Sequence, residues 1–231
     1  CLPYSPSSAS SPSSSALKEQ QQQQVQQRLS LSEVQMSVIC RHILNGLAFV
    51  HNVLDMPHRN IRLSTVSIGT DYQCKIPELD IVSEHVVDVS GWAIGEAYRV
   101  APEVSCNNTY GKKADIWSLG VLLWEMCLQG HPLWFSQQSR LSYLRLKRGT
   151  LVLGPDQPQQ LLSVCDPYTG RSYSSGLCDF LGCCLRFHEN ERASASELLQ
   201  HPFITASCSI ESDQFLPGLL SSSRNSRVRK N

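Results

Sequence analysis

The clearest hydrophobic pattern in the chain runs from residue 31 to about His51. Apolar residues recur there at spacings of three, four and seven, which places them on one face of an α-helix. Ser30 and Glu33 precede most of this run in the S-x-x-E arrangement of a capping box. The pattern therefore predicts an amphipathic helix that begins at Ser30. The positions on its apolar face are Leu31, Val34, Val38, Ile39, Ile43, Leu47 and Val50.

Three further patterns follow along the chain. Residues 65–68 and 74–76 have the composition of two short strands, and Gly69, Thr70 and Asp71 between them have the composition of a turn. Residues 114–128 are apolar on most faces of a helix, which predicts a buried helix. The rest of the C-terminal part is predicted to form helices broken by loops. The chain is therefore predicted to be mainly α, with one short pair of strands.

Both ends of the chain are polar. Residues 5–15 are almost all Ser, Pro and Ala, and residues 20–27 are nearly all Gln. Such segments have no apolar surface to bury, so residues 5–29 are predicted to be a disordered insertion. The tail, residues 206–231, is largely polar and basic at its end, and it is predicted to be disordered as well. Residues 30–205 remain as the folded domain.

The overall composition is that of a single compact domain. The chain has 231 residues, and 41% of them are hydrophobic. Its 20 basic and 20 acidic residues balance, which gives no reason to expect nucleic acid or an acidic membrane as a partner. No segment reaches the roughly 18 apolar residues of a membrane span, and the polar start does not resemble a signal peptide. A cytoplasmic location is therefore expected.

The ten cysteines are predicted to be reduced. Several of them lie in or beside apolar runs of a chain long enough to fold without disulfides, so they are expected to be core thiols. No Cys and His spacing supplies the two nearby ligand pairs that are typical of a structural zinc site. The cysteines in apolar runs are Cys40, Cys127, Cys183 and Cys184.

Four blocks of sequence resemble the protein kinase superfamily, and they occur in the family's order. The catalytic motifs of that family read H-R-D-L-K-x-x-N and K-I-x-D-F-G, and its activation segment ends in A-P-E. Here the blocks are HRNIR at 58–62 followed by KIPELD at 75–80, APE at 101–103, YGKKADIWSLG at 110–120, and RASASELLQHPF at 192–203. The resemblance covers about residues 31 to 204 and is to the C-terminal lobe of a Ser/Thr-type kinase.

The front of a kinase domain is not found in the sequence. The family's N-terminal lobe carries a glycine-rich loop and a strand lysine that hold the ATP phosphates. Here Gly46 is the only glycine before Asn60, and no V-A-I-K-like strand is present. The resemblance implies that residues 1–4 are a remnant of the hinge and that the N-lobe is absent from this chain. Because the chain also begins without methionine, it is expected to be a piece of a longer protein or the product of an incomplete gene model.

The resemblance places altered residues at the chemical positions. Asn60 stands where the family has the aspartate that acts as the catalytic base, and a neutral carboxamide cannot take up a proton in the same way. Thr65 stands at the position of the second metal ligand. Glu78 stands at the D-F-G aspartate, with a carboxylate on a longer arm that suits octahedral Mg²⁺ poorly. ATP and Mg²⁺ are therefore cofactors only if the protein is active.

Three further positions depart from the family in the same region. Ser67 replaces the leucine beneath the adenine ring, which makes the floor of a nucleotide pocket less apolar. Arg62 replaces the catalytic-loop lysine, and Glu96 replaces a threonine that contacts it. We expect either a bidentate ion pair between Arg62 and Glu96 or two separately solvated charges.

The residues that hold the kinase fold together match the family. His58 and Arg59 keep the landmark positions of the catalytic loop. Glu103 and Arg192 match the pair that joins the activation segment to the last helices. Asp115 matches the buried aspartate that holds the backbone of the catalytic loop.

Three functions fit these observations. The first is a pseudokinase lobe that binds a protein partner, such as a kinase or a substrate of a signalling pathway, as a scaffold or allosteric module. The second is a residually active Ser/Thr kinase whose N-lobe lies outside this chain. The third is a non-catalytic interaction fragment that works through its Gln- and Ser-rich arm, and failure of residues 28–205 to unfold cooperatively would favour it.

Overall fold

In a computed structural model of the chain, the described residues are 31–71, 73–76, 99–107, 110–128 and 173–207. They are mostly helical, as the sequence predicts. The predictions for residues 1–30 and 208–231 lie outside this part of the chain. The predicted disorder of the tail from residue 206 is wrong for its first two residues, because Ser207 is buried and its hydroxyl lies 2.6 Å from that of Ser37. In order, the elements are α1 (Glu33–Asn52), β1 (Ser67–Ile68), β2 (Cys74–Lys75), α2 (Pro102–Asn107), α3 (Lys112–Cys127), α4 (Ser175–Cys184), a 3₁₀ turn (Glu189–Glu191), α5 (Ala195–Leu199) and α6 (Pro202–Thr205).

The start of α1 differs from the prediction. The N-cap is Ser32, whose hydroxyl accepts from the backbone N–H of Gln35 at 3.3 Å, while the Gln35 side chain accepts from the Ser32 backbone. The capping box is therefore built two residues later than Ser30 and Glu33. Glu33 is engaged elsewhere, because its carboxylate accepts from the backbone N–H of Ser174 at 2.9 Å. This contact joins the start of α1 to the N-cap of α4.

The strand pair is confirmed but shorter than predicted. β1 and β2 are antiparallel, and Ser67 lies opposite Lys75. Residues 65 and 66 do not join the strand because their backbone N–H groups bond to the carbonyl of Arg62 in a turn. The predicted turn closes the hairpin through a bond from Gly69 N to Gln73 O at 2.9 Å.

The core is organised around α3, the buried helix that the sequence predicts. Every residue of it from Ala114 to Cys127 is buried, including Ser118 and Glu125. Burial of an entire helix requires other elements on several sides, and α1 and α4 pack against it. The largest fully buried side chains of this core include Trp117, Trp124, Phe180, Met36, Ile43 and Leu44.

Helix α3 approaches the end of α4 closely at Gly120. A Cβ atom at this position would lie 2.7 Å from Leu185 Cδ2 and 2.8 Å from Cys184 Cβ. Both distances are well inside van der Waals contact, and Cys184 Cβ cannot move without its helix. Glycine therefore permits the approach of the two elements.

We expect Gly120→Ala to lower the free energy of unfolding by about 1–3 kcal/mol, the usual cost of overpacking a core. The matched control is Gly176→Ala in α4, where the nearest atom to an added Cβ is Ser174 Oγ at 3.8 Å. Alanine is a better helix former than glycine, so this control should be neutral or stabilising. Urea denaturation followed by circular dichroism measures both values, and equal effects of the two substitutions would contradict the close approach.

The cysteine prediction is confirmed for Cys40, Cys127 and Cys184, which are buried, whereas Cys183 is half-buried. The six cysteines whose side chains are described are free thiols, namely Cys40, Cys74, Cys127, Cys178, Cys183 and Cys184. Burial raises the pKa of the Cys74 thiol to about 11 and raises that of Cys184 well above its usual value. These thiols therefore stay protonated at neutral pH.

Among the described helices, none combines the length and the apolar character that a membrane span requires.

Candidate functional site

The segment between α1 and β1 is held in place by one buried carboxylate. Asp115, in the first turn of α3, is fully buried. It accepts hydrogen bonds from the backbone N–H groups of His58 at 2.7 Å and Arg59 at 2.8 Å. It also accepts from His51 Nε2 at 2.8 Å and from the Tyr110 hydroxyl at 3.1 Å. Four donors from three segments thus converge on one side chain.

Arg59 has a backbone conformation that few non-glycine residues adopt. Its φ angle is 67°, in the left-handed region. Two successive N–H groups point to the same carboxylate, which an extended backbone does not allow because its N–H groups alternate in direction. The two bonds to Asp115 compensate for the conformational cost of this turn. His58 is buried beside it, and its Nδ1 accepts from Asn60 N at 3.3 Å.

Asn60 and Arg62 contact each other directly. Arg62 Nε donates to Asn60 Oδ1 at 2.8 Å. A guanidinium only donates, so the carboxamide oxygen must face it, and the remaining side-chain atom of Asn60 is a nitrogen that also only donates. The acceptor of this residue is therefore engaged within the loop.

Thr65 also bonds within its own loop. Its hydroxyl lies 3.0 Å from the carbonyl oxygen of Arg62 and 3.3 Å from that of Asn60. The hydroxyl has one proton to donate to this pair of acceptors, and this fixes the end of the loop before β1 begins. Thr65 thus acts here as a turn residue.

The other predicted positions of the site divide into two groups. Ser67 is exposed on β1. Glu78 and Glu96 lie outside the described residues, so the Arg62 to Glu96 ion pair and the metal position at Glu78 remain predictions. The loop that can be described consists of residues 58–65.

Arg192 and Glu103 are brought together in a bidentate ion pair. Arg192 Nη1 lies 2.7 Å from Glu103 Oε1, and Nη2 lies 3.0 Å from Oε2. The guanidinium is fully buried and also donates to the carbonyl oxygens of Lys113 and Arg186. All five of its N–H groups are thereby satisfied. The Trp117 ring lies under the guanidinium carbon, with 5.2 Å to the ring centroid.

Some residues that support the site were not foreseen from the sequence. His51 and Tyr110 complete the set of hydrogen-bond donors to Asp115. Burial, and then the charge of the Asp115 carboxylate, raise the pKa of Tyr110 well above its usual value, so its hydroxyl stays a donor. Glu125 is buried and pairs with Arg99 at 2.8 Å. An acidic residue in the apolar second half of a buried helix needs a partner, and this was the available signal for Glu125.

The described loop does not fit Mg²⁺. This ion takes oxygen ligands in nearly ideal octahedral geometry and usually one or two carboxylates. At the two loop positions that the family resemblance assigns to the base and the second metal ligand, the chain has Asn60 and Thr65. The Asn60 oxygen accepts from Arg62, and the Thr65 hydroxyl donates to loop carbonyls. Neither side chain is a carboxylate.

Comparison with known proteins identifies the class of this fold and site. The family model described as the protein kinase domain matches residues 14–204. The match covers most of the chain, so the chain belongs to the protein kinase domain family. It begins before α1, within the segment that the sequence analysis assigned to a disordered insertion, so restriction of the fold to a C-terminal lobe is not established.

Individual relatives are serine/threonine-protein kinases. The chain is 32% identical to PAK 1 of Mus musculus over 177 residues, which are 75% of the chain and 30% of the relative. It is 34% identical to STE20 of Candida glabrata over 179 residues, 76% of the chain and 18% of the relative. It is 30% identical to pakA of Talaromyces marneffei over 203 residues, 87% of the chain and 29% of the relative. The chain thus spans about a third or less of these relatives.

Proposed function

We propose that this protein is a pseudokinase, a kinase-family domain that works by binding and does not transfer phosphate. The observation that carries the proposal is the bond from Arg62 Nε to Asn60 Oδ1. A catalytic base must accept a proton from the substrate hydroxyl, and this residue is neutral with its acceptor oxygen already engaged. Loss of general-base catalysis alone typically costs about 10²–10⁴-fold in rate.

The supporting framework of the fold argues for a binding role. Asp115 is fully bonded, and Arg192 and Glu103 form a paired and buried connection. These residues keep the lobe rigid and have no part in moving a phosphoryl group. A rigid domain with altered chemical positions can still present a surface to a protein partner. We propose a scaffold or allosteric role toward a signalling partner in the cytoplasm.

The domain bounds are part of the proposal. We assign residues 30–205 to the kinase-like lobe, residues 1–4 to a hinge remnant, and residues 5–29 and 206–231 to flanking segments. The start of the last segment packs against the lobe, because Ser207 is buried and its hydroxyl lies 2.6 Å from that of Ser37. The start of α1 at Glu33 and the end of α6 at Thr205 support this assignment. The family match from residue 14 argues for an earlier start.

The proposal predicts no metal-dependent nucleotide binding and a phosphotransfer rate at least about 10²-fold below that of an active serine/threonine kinase. The protein should be purified with any sequence that precedes or follows these 231 residues. A ligand that binds the folded state raises apparent stability by mass action, so thermal shifts with ATP, with and without Mg²⁺, measure binding. Phosphate incorporation into a generic substrate, followed in parallel, measures catalysis.

Two variants give the experiment its controls. One variant restores the family's residues in the loop by combining Asn60→Asp, Arg62→Lys and Thr65→Asn. Any gain of phosphotransfer by this triple variant shows that the assay can detect activity. Glu78→Ala removes the carboxylate that the residually active alternative requires. Stoichiometric phosphate incorporation by the unaltered protein that disappears in Glu78→Ala would establish the active alternative, which the serine/threonine kinase relatives favour.

A further inference from the structure

Three potential metal ligands meet where α4 packs against α6. Asp179 and Cys183 are four residues apart in α4 and share a face of the helix. His201, the N-cap of α6, lies beside them. A carboxylate oxygen, the Sγ atom and an imidazole nitrogen of these three residues all lie within 4.8 Å of one another. All three residues are half-buried.

We propose that Asp179, Cys183 and His201 bind a zinc ion. Carboxylate oxygen, thiolate sulfur and imidazole nitrogen are the three ligand types that Zn²⁺ takes in proteins, and it prefers four tetrahedral ligands. Cys183 and His201 line a cavity of about 420 Å³, which has room for a water molecule as the fourth ligand. The proposal is independent of whether the protein transfers phosphate.

The hydrogen bonds of His201 show which ring nitrogen carries the proton that zinc must displace. His201 Nδ1 accepts from the backbone N–H of Phe203 at 3.1 Å, so the ring proton is on Nε2, which lies 3.2 Å from Asp179 Oδ2. Zinc at Nε2 moves this proton to Nδ1, and the Phe203 N–H loses its acceptor. Metal binding therefore loosens the cap of α6 while it joins α4 to α6 through the ion.

The thiol provides the proton that is released. Burial, and then the Asp179 carboxylate, raise the pKa of Cys183, while Arg186 lowers it. The free thiol is protonated at neutral pH, and Zn²⁺ replaces its proton to form a zinc-thiolate bond. One proton leaves for each zinc bound, because the proton of His201 stays on the ring.

Cys183 distinguishes a metal site from a purely structural contact. The bond between Asp179 and His201 could by itself hold α4 against α6, and that contact does not need a thiol. The sequence analysis did not predict the site because His201 comes from a separate helix and the spacing forms no Cys and His pairs. A test must therefore depend on the sulfur atom.

Cobalt(II) is a suitable probe of the full chain, because Co²⁺ bound to a thiolate absorbs in the near ultraviolet by charge transfer. We expect one equivalent of Co²⁺ to produce this band, equimolar Zn²⁺ to remove it, and one proton to be released per metal. Competition with a chromophoric chelator gives the zinc affinity. Failure of the band to form in the unaltered protein overturns the proposal.

Three variants assign the signal to this site. Cys183→Ser should abolish the band and Asp179→Asn should weaken zinc binding about tenfold or more, because loss of residues that only orient zinc ligands already costs about 10–100-fold. Cys178→Ser removes a buried thiol of the same helix that lies outside the cluster, and it should leave the band and the affinity unchanged. A band that survives in Cys183→Ser, or is lost equally in Cys178→Ser, places the metal on other cysteines and refutes the site.

Discussion

Replacing Asp115 with alanine is expected to lower the free energy of unfolding by about 3–5 kcal/mol, the range seen when one partner of a buried charged network is removed. The substitution leaves His51, Tyr110 and two backbone N–H groups buried without their acceptor. Each unsatisfied donor costs about 1–3 kcal/mol, and these costs overlap because the region relaxes. A typical domain has about 5–15 kcal/mol in total, so much of the stability would be lost.

Urea denaturation monitored by circular dichroism measures this loss. The matched control is Asp55→Asn, because Asp55 pairs with Lys112 but its side chain is 89% exposed, and asparagine tolerates the left-handed φ of 56° at this position. Exposed ion pairs are screened by solvent and contribute little to stability, so the control should change the free energy of unfolding little. If Asp115→Ala lowers the free energy of unfolding by less than twice as much as Asp55→Asn does, Asp115 is not the anchor of the loop.

The second large effect is expected at Arg192. Arg192→Ala should cost about 3–5 kcal/mol, because it leaves the mostly buried Glu103 carboxylate without its partner. It also removes the donors to the carbonyl oxygens of Lys113 and Arg186. Arg192→Lys should recover only part of the loss, since an ammonium has three donors and no planar fork to match a carboxylate.

A double-mutant cycle isolates the ion pair from the other contacts. Arg192→Ala, Glu103→Gln and the double variant are compared by urea denaturation, and we expect a coupling free energy of about 1–3 kcal/mol. Lys75→Ala is the control for an ordinary surface pair, because Lys75 and Asp71 are both more than half exposed. Additive effects of the two substitutions at 192 and 103 would show that the pair does not link the segments energetically.

The helices could be predicted because their hydrophobic patterns are local. The run that became α1 and the apolar stretch that became α3 both predicted the element correctly. The start of α1 could not be predicted in the same way. The sequence offers S-x-x-E at 30–33 and S-x-x-Q at 32–35, and the second is used while Glu33 bonds to Ser174. That choice depends on a residue far away in the sequence.

The site was predictable from its motifs only in part. Motif resemblance pointed to Asp115, Glu103 and Arg192, and these side chains make the contacts described above. It did not point to the bond between Asn60 and Arg62, because that contact arises from substitutions that the family pattern does not contain. Contacts of this kind depend on side-chain geometry within a turn, which spacing alone does not encode.

The left-handed turn at Arg59 gives the loop an uncommon dependence on one distant side chain. A non-glycine residue with φ of 67° returns to ordinary backbone geometry when nothing restrains it. The restraint here comes from Asp115, in helix α3. We expect a ligand or partner that shifted the start of α3 to reorient Asn60 without contacting it, because the two residues before Asn60 are bonded to Asp115 through their backbone N–H groups.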